Sequence, residues 1–174
     1  ARAWDTPPAS LADIGTGAGF PGIPLKIVWP KMALLVSDSI GKKTAFLRHI
    51  VSALELEAVD VVTARAEALG RDPAYRERYD GVVARAVAAL NVLSEYCLPL
   101  CRIGGRFAAP KGPEGAAEAL EARRAIGQLG GRPRAVLPVQ LPEVEQRTLV
   151  VVDKVRATPR EFPRDVGVPS KRPL

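Results

Sequence analysis

Short apolar runs alternate with longer stretches of helical spacing along most of the chain. Leu11–Gly15, Met32–Val36, Val59–Thr63, Gly81–Ala84, Arg106–Ala109, Ala135–Val139 and Leu149–Val152 are near-continuously apolar, the pattern of strands covered on both faces. Between the first six lie candidate helices at Ile23–Trp29, Lys42–Leu56, Ala66–Gly70, Leu90–Leu98 and Glu114–Leu129. In the second helix Phe46, Leu47, Ile50, Val51 and Leu54 recur at helical spacing, with Lys42, Lys43 and Arg48 off that stripe. Such alternation predicts an α/β domain built on a parallel sheet. The last two strands break the rule: only Leu141–Arg147 separates them, too short for a crossover helix, so they pair antiparallel. Beyond them Arg156–Leu174 carries four prolines and five basic residues against two acids, which reads as a surface tail without regular structure.

Composition narrows the class. With 174 residues, 47% of them hydrophobic, the chain is long enough for one sizeable core and too apolar for disorder. No run approaches the ~18 apolar residues of a membrane helix. A net charge of +6 favours polyanionic partners, although a solvated lysine surface produces the same sum. Cys97 and Cys101, four apart, fall on one helical face and read as core residues rather than a disulfide. One histidine, His49, excludes a metal quartet and reads as a structural or surface residue. There is no basic start followed by an apolar leader, so a cytoplasmic, metal-free protein is expected.

The chemistry concentrates after the first strand. Asp13-Ile14-Gly15-Thr16-Gly17-Ala18-Gly19-Phe20-Pro21-Gly22 leads into the first helix, where glycines let backbone amides approach a ligand. A plain strand-to-helix turn needs fewer than four glycines. Gly17, Gly19 and Gly22 also fit a dinucleotide-binding loop, but Asp13 would repel a pyrophosphate and suits a zwitterionic amino-acid ligand better. Asp38 ends the second strand, 21 residues after Gly17, where a carboxylate can accept both hydroxyls of a ribose; a helix cap is its alternative role. Glu67 follows the third strand, where it could meet an adenine edge or be a solvated first-turn acid.

Seven strands with the last antiparallel, inserted in a doubly wound sheet, predict a Rossmann-like class I methyltransferase fold. The quoted motifs carry a more specific likeness. Asp13–Ile27, Asp38–Leu47, Ala64–Glu67, Ala84–Val87 and Lys111-Gly112 resemble the bacterial 16S rRNA guanine-N7 methyltransferases, also called glucose-inhibited division protein B. The tail, with Phe162-Pro163-Arg164, Gly167-Val168-Pro169 and Pro173-Leu174, is similar to the C-terminus of many members. The resemblance implies a methyltransferase domain over 1–155 with a basic, Pro-rich tail at 156–174 packed on it. Members usually carry some tens of helical residues before the first strand; here only Ala1–Leu11 precedes it, so that segment is expected to be absent. Pro110 also stands where members often have an apolar residue.

Carried over, the family pattern implies S-adenosylmethionine contacts at Gly15, Phe20, Asp38, Ser39, Ile40, Ala66, Glu67 and Arg85. The substrate implied is 16S rRNA or the small ribosomal subunit, met by a monomer. Lys111, Arg160, Arg164, Lys171 and Arg172 are candidate phosphate contacts, and Lys42, Lys43 and Arg48 could add to them or form a solvated helix face. Guanine N7 has a free lone pair, so no general base is needed and no catalytic side chain is assigned. A cation covering N7 would oppose transfer, so Arg85 suits the methionine carboxylate or an RNA phosphate, with a sheet-edge ion pair as its structural alternative. Other readings keep the fold with a small-molecule or protein substrate, change it to a dehydrogenase, or make the chain an RNA-binding module with a vestigial cofactor site.

Overall fold

A computed structural model of the protein describes residues 2–85, 88–141 and 144–174. In chain order the elements are β1 (Ser10–Ile14), α1 (Gly22–Val28), β2 (Ala33–Asp38), α2 (Gly41–Ala53), β3 (Val59–Thr63), α3 (Ala66–Arg71) and β4 (Tyr79–Val83). There follow α4 (Leu90–Cys97), β5 (Cys101–Lys111), α5 (Gly115–Glu121), α6 (Arg123–Gln128), β6 (Gly131–Leu141), β7 (Val144–Lys154) and α7 (Val168–Lys171). All seven strands form one sheet in the order β3-β2-β1-β4-β5-β7-β6. The first five run parallel, and β7 lies antiparallel between β5 and β6.

The apolar runs become strands because both faces are covered. Alternate residues of β1 divide between two cores: Leu11 packs with Ile23 of α1 and Leu47 of α2, while Ala12 and Ile14 join Leu69, Leu93, Phe107 and Ile126 beneath α3, α4 and α6. β6 ends the sheet with Pro133 and Pro138, residues that cannot donate to another strand and so blunt an exposed edge.

Four details depart from the pattern. α4 ends at Cys97: Leu98 keeps helical dihedrals, but Pro99 after it has no N–H to continue the hydrogen-bond ladder. Cys101 therefore opens β5 instead of sharing a helical face with Cys97; both thiols remain free and fully buried. The expected long helix over Glu114–Leu129 is two, bent at Ala122, so that α5 rests on β7 and α6 on β6. On α2 the stripe is shifted: Thr44 is buried, sharing a 2.6 Å hydrogen bond with Thr63, while Phe46 and Leu54 are exposed. The tail holds a helical turn, α7, started by Gly167 in the left-handed region with Pro169 in the first turn.

The tail also binds back onto the domain. The Arg76 guanidinium donates to the carbonyls of Gly70, Thr158, Pro159 and Phe162. The buried Lys154 ammonium donates to Leu98 O and Thr158 Oγ1 and lies 3.2 Å from Glu77; burial lowers its pKa, partly offset by Glu77. Phe162 and Leu174 pack against the larger core.

Candidate functional site

Strand order reverses at β1, whose neighbours β2 and β4 carry the chain to opposite sides of the sheet, and the carboxyl ends of strands at such a point are where open α/β sheets bind ligands. A cleft of about 370 Å³ lies there. Gly15, Asp38, Ser39, Ile40, Ala66 and Glu67 all line it, so six of the eight cofactor positions expected from the sequence meet in one place. Phe20 and Arg85 stand together outside that lining. Phe20 is 51% exposed, and the Arg85 guanidinium lies 5.9 Å from its ring centroid, within cation–π reach. Ala86 and Val87, the rest of that motif, lie outside the described residues.

Asp13 faces inward. Its Oδ2 accepts the Thr16 hydroxyl at 2.6 Å and the Gly22 N–H at 2.7 Å, while Oδ1 is buried with no partner. The carboxylate thus caps α1 from the neighbouring strand and folds the glycine loop over itself, a structural task in place of the ligand contact expected from its charge. A Cβ on Gly22 would sit 2.8 Å from that oxygen, so only glycine fits there. Burial raises the Asp13 pKa from 3.8 to about 6, against the lowering effects of the Thr16 and Gly22 hydrogen bonds and the Arg85 charge. Gly15, at φ +65°, takes a backbone turn that side chains resist and lays bare backbone at the cleft.

Asp38 takes the structural one of its two candidate roles and also lines the cleft. Oδ1 accepts the Ile40 N–H at 3.0 Å at the start of α2, and Oδ2 accepts the Gly17 N–H at 3.1 Å with Lys43 Nζ 3.3 Å away. It is 5% exposed and ties β2, α2 and the glycine loop together at the cleft wall. Glu67, 4% exposed, is no solvated acid: Oε1 accepts the Gly167 N–H at 2.9 Å from the tail. Lys43, Arg65, Ala88, Tyr96 and Ser170 also line the cleft, and the sequence pattern does not single them out as cofactor residues. Lys43 follows Asp38 by five residues, a spacing that makes it legible as a partner; Tyr96 and Ser170 arrive from α4 and α7 with no local signal.

Two of the five candidate RNA contacts are occupied within the protein. Lys111 Nζ donates to Ala88 O at 2.7 Å and pairs with Glu118 at 2.8 Å, locking the end of β5 to α5 and the start of α4. Arg164 pairs with Glu95, itself fully buried, through Nη2 at 2.6 Å and Nε at 2.9 Å. Both side chains thus hold parts of the structure together, partners that the sequence pattern does not show. Arg160, Lys171 and Arg172 are exposed. Lys42 is exposed as well, Lys43 is held by Asp38, and Arg48 donates to Val61 O.

Among the described residues, no three His, Cys, Asp or Glu side chains gather as a metal site requires, and no helix is long and apolar enough to cross a membrane. A larger hollow of about 690 Å³ lies along α2 and the start of β3, away from the carboxyl ends of the strands and lined by Arg48, Glu55 and Asp60 among others.

The profile of the rRNA small subunit methyltransferase G family matches residues 3–150. Ribosomal RNA small subunit methyltransferase G of Roseiflexus castenholzii is 58% identical over all 174 residues, which cover 74% of that relative. Among solved structures, TrmN from Thermus thermophilus superposes with a TM-score of 0.65 at 21% identity, covering 88% of this chain and 46% of that one. Geranyl diphosphate methyltransferase in complex with SAM gives 0.65 at 13% identity, over 86% of this chain and 79% of that one. The two structural likenesses establish the class I methyltransferase fold, and the sequence match is far narrower: the chain belongs to the rRNA small subunit methyltransferase G family.

Proposed function

We propose that this protein transfers a methyl group from S-adenosylmethionine to N7 of a guanine in 16S rRNA of the small ribosomal subunit. It acts as a cytoplasmic monomer. The observation that carries the reading is the meeting of Asp38, Glu67 and the glycine loop in one cleft at the point where strand order reverses.

The residues present fit the cofactor. A volume of about 370 Å³ falls within the range of small-ligand sites, roughly 300–1,000 Å³. Asp38 would accept the ribose hydroxyls, the Ala66 N–H and the Glu67 carboxylate would meet the adenine edge, and the bared backbone of Gly15 would adjoin the rest of the molecule. When bound, the cofactor supplies a methyl group already activated by its sulfonium. What remains for the protein is to hold donor and acceptor in line, and proximity and orientation can account for most of the acceleration. Nothing need accept a proton, because N7 attacks through a free lone pair. Positive charge grows on the purine during transfer; Arg85 is turned onto Phe20, where its cation does not line the cleft. Exposed Arg160, Lys171 and Arg172 are the proposed phosphate contacts.

Calorimetric titration with S-adenosylmethionine, followed by methyl incorporation into 16S rRNA and into isolated small subunits, tests the reading. Binding with incorporation on guanine N7 is the expected result; a folded protein that neither binds nor transfers overturns it. Binding without transfer to any RNA would favour the vestigial-site alternative.

A further inference from the structure

The tail is tied to the cofactor cleft and not merely to the rim of the domain. Arg164 anchors it through the buried Glu95, and its backbone N–H adds a fourth bond to the same carboxylate at 2.7 Å. Glu95 immediately precedes Tyr96, a cleft residue. Three positions beyond Arg164, Gly167 directs its N–H at Glu67 Oε1, 100 residues back in sequence. Gly167 does so at φ +81°, in the left-handed region where a Cβ is penalised, and no atom lies within 4 Å of the position a Cβ would take. One turn on, Ser170 stands on the cleft wall with Tyr96 and Glu67, its hydroxyl donating to Gly167 O at 3.0 Å.

We infer that α7 forms the outer wall of the adenosine end of the cofactor cleft, with Ser170 as a cofactor-contacting residue and Gly167 as a positioning residue for Glu67. The inference rests on the S-adenosylmethionine reading above. Glu67 is the acid expected at the adenine edge. With Oε1 held by Gly167, the carboxylate is fixed in rotation and its second oxygen remains for the exocyclic amine. The tail thereby completes a binding surface that the strand ends leave open on that side. Its role there differs from the RNA contacts proposed for its basic residues, which lie at other positions.

The two native thiols make a direct test possible, because Cys97 and Cys101 are fully buried and burial pushes Cys101 up to about 12 and Cys97 well above its ordinary value. A Ser170→Cys variant then presents one reactive thiol, with Arg160→Cys, elsewhere on the tail, as control. S-adenosylhomocysteine at about 100 times its Kd fills the site almost completely, so maleimide labelling at position 170 should slow by about tenfold or more while the control is unchanged. 5′-Methylthioadenosine should protect as well, and methionine should not. Gly167 is tested through the kinetic split. Gly167→Ala should raise the KM for S-adenosylmethionine about fivefold or more with kcat little changed, and Gly167→Asn, which tolerates the left-handed conformation, should recover most of the loss. Equal labelling of position 170 with and without S-adenosylhomocysteine, in protein that binds it by calorimetry, overturns the wall and leaves the methyltransferase reading intact. Protection with an unmoved KM in Gly167→Ala removes the positioning role, and failure of the unmodified protein to bind overturns both.

Discussion

At the scale of single residues, the two acids nearest the glycine loop work in opposite ways. Asp13 is wholly enclosed, so its ionised form is penalised and its pKa rises from 3.8 to about 6. The native chain therefore binds a proton that the unfolded chain releases between those values. The contribution to stability is full below about pH 3.8 and is lost as pH rises through about 6. A shift of that size corresponds to about 3 kcal/mol. Asp13→Asn cannot titrate, and its amide oxygen can still accept from Thr16 and Gly22. Denaturant unfolding from pH 4 to 7 should show the variant gaining on the parent by about 2–3 kcal/mol across the range; parallel curves would mean Asp13 is ionised throughout. Asp38→Asn instead addresses the ligand. It keeps the shape of the side chain while removing the charge that Gly17, Ile40 and Lys43 surround. Hydrogen bonds to charged groups contribute about 1.5–3 kcal/mol, so S-adenosylmethionine affinity should fall about tenfold or more. Unchanged affinity by calorimetry would reduce Asp38 to a loop tie. Alternation along β1 explains what the sequence withheld about Asp13: Leu11 and Asp13 share one face of the strand, so the acid was destined for a covered surface whatever its charge suggested.

Among the elements, those legible in the sequence are the ones fixed by local pattern. Near-continuous apolar runs placed all seven strands, and the short Leu141–Arg147 connection placed the antiparallel pair. α7 and the bend at Ala122 escaped because each depends on distant partners: α5 and α6 follow two different strands, and α7 follows Glu67 and Glu95. The same reason hides Ser170 and Tyr96, which join the cleft only once the tail has crossed α4. Charge patterning likewise could not tell a tail arginine that meets solvent from one that meets a buried carboxylate. For Arg164 the difference is measurable. Arg164→Ala leaves the enclosed Glu95 without its cation, a change that costs about 3–5 kcal/mol in buried pairs, and the lower end applies here because the arginine is 25% exposed. A fall of about 3 kcal/mol in unfolding free energy is expected. Unaltered stability with weakened RNA binding would instead return Arg164 to the nucleic-acid surface.

For the whole molecule, the proposed function assigns cofactor and RNA to separate sets of residues. The proposed cofactor groups line the cleft at the strand ends, and Arg160, Lys171 and Arg172 remain exposed along the tail while Lys111 and Arg164 pair within the structure. A charge that neutralises a phosphate releases counterions, so its removal changes the salt dependence of binding and not only its strength. Replacing all three with alanine should leave S-adenosylmethionine affinity and thermal stability near the parent values. RNA affinity should fall, and the slope of log affinity against log salt should become shallower by about 0.7 for each phosphate no longer neutralised on a single-stranded site. If two of the three neutralise phosphates, the slope shifts by about 1.4. Because Lys171 adjoins Ser170 on α7, cofactor and RNA would then meet on consecutive residues of one turn. Titrations of parent and triple variant at several salt concentrations decide the matter: identical slopes mean that the RNA is held elsewhere and the tail serves the cleft alone.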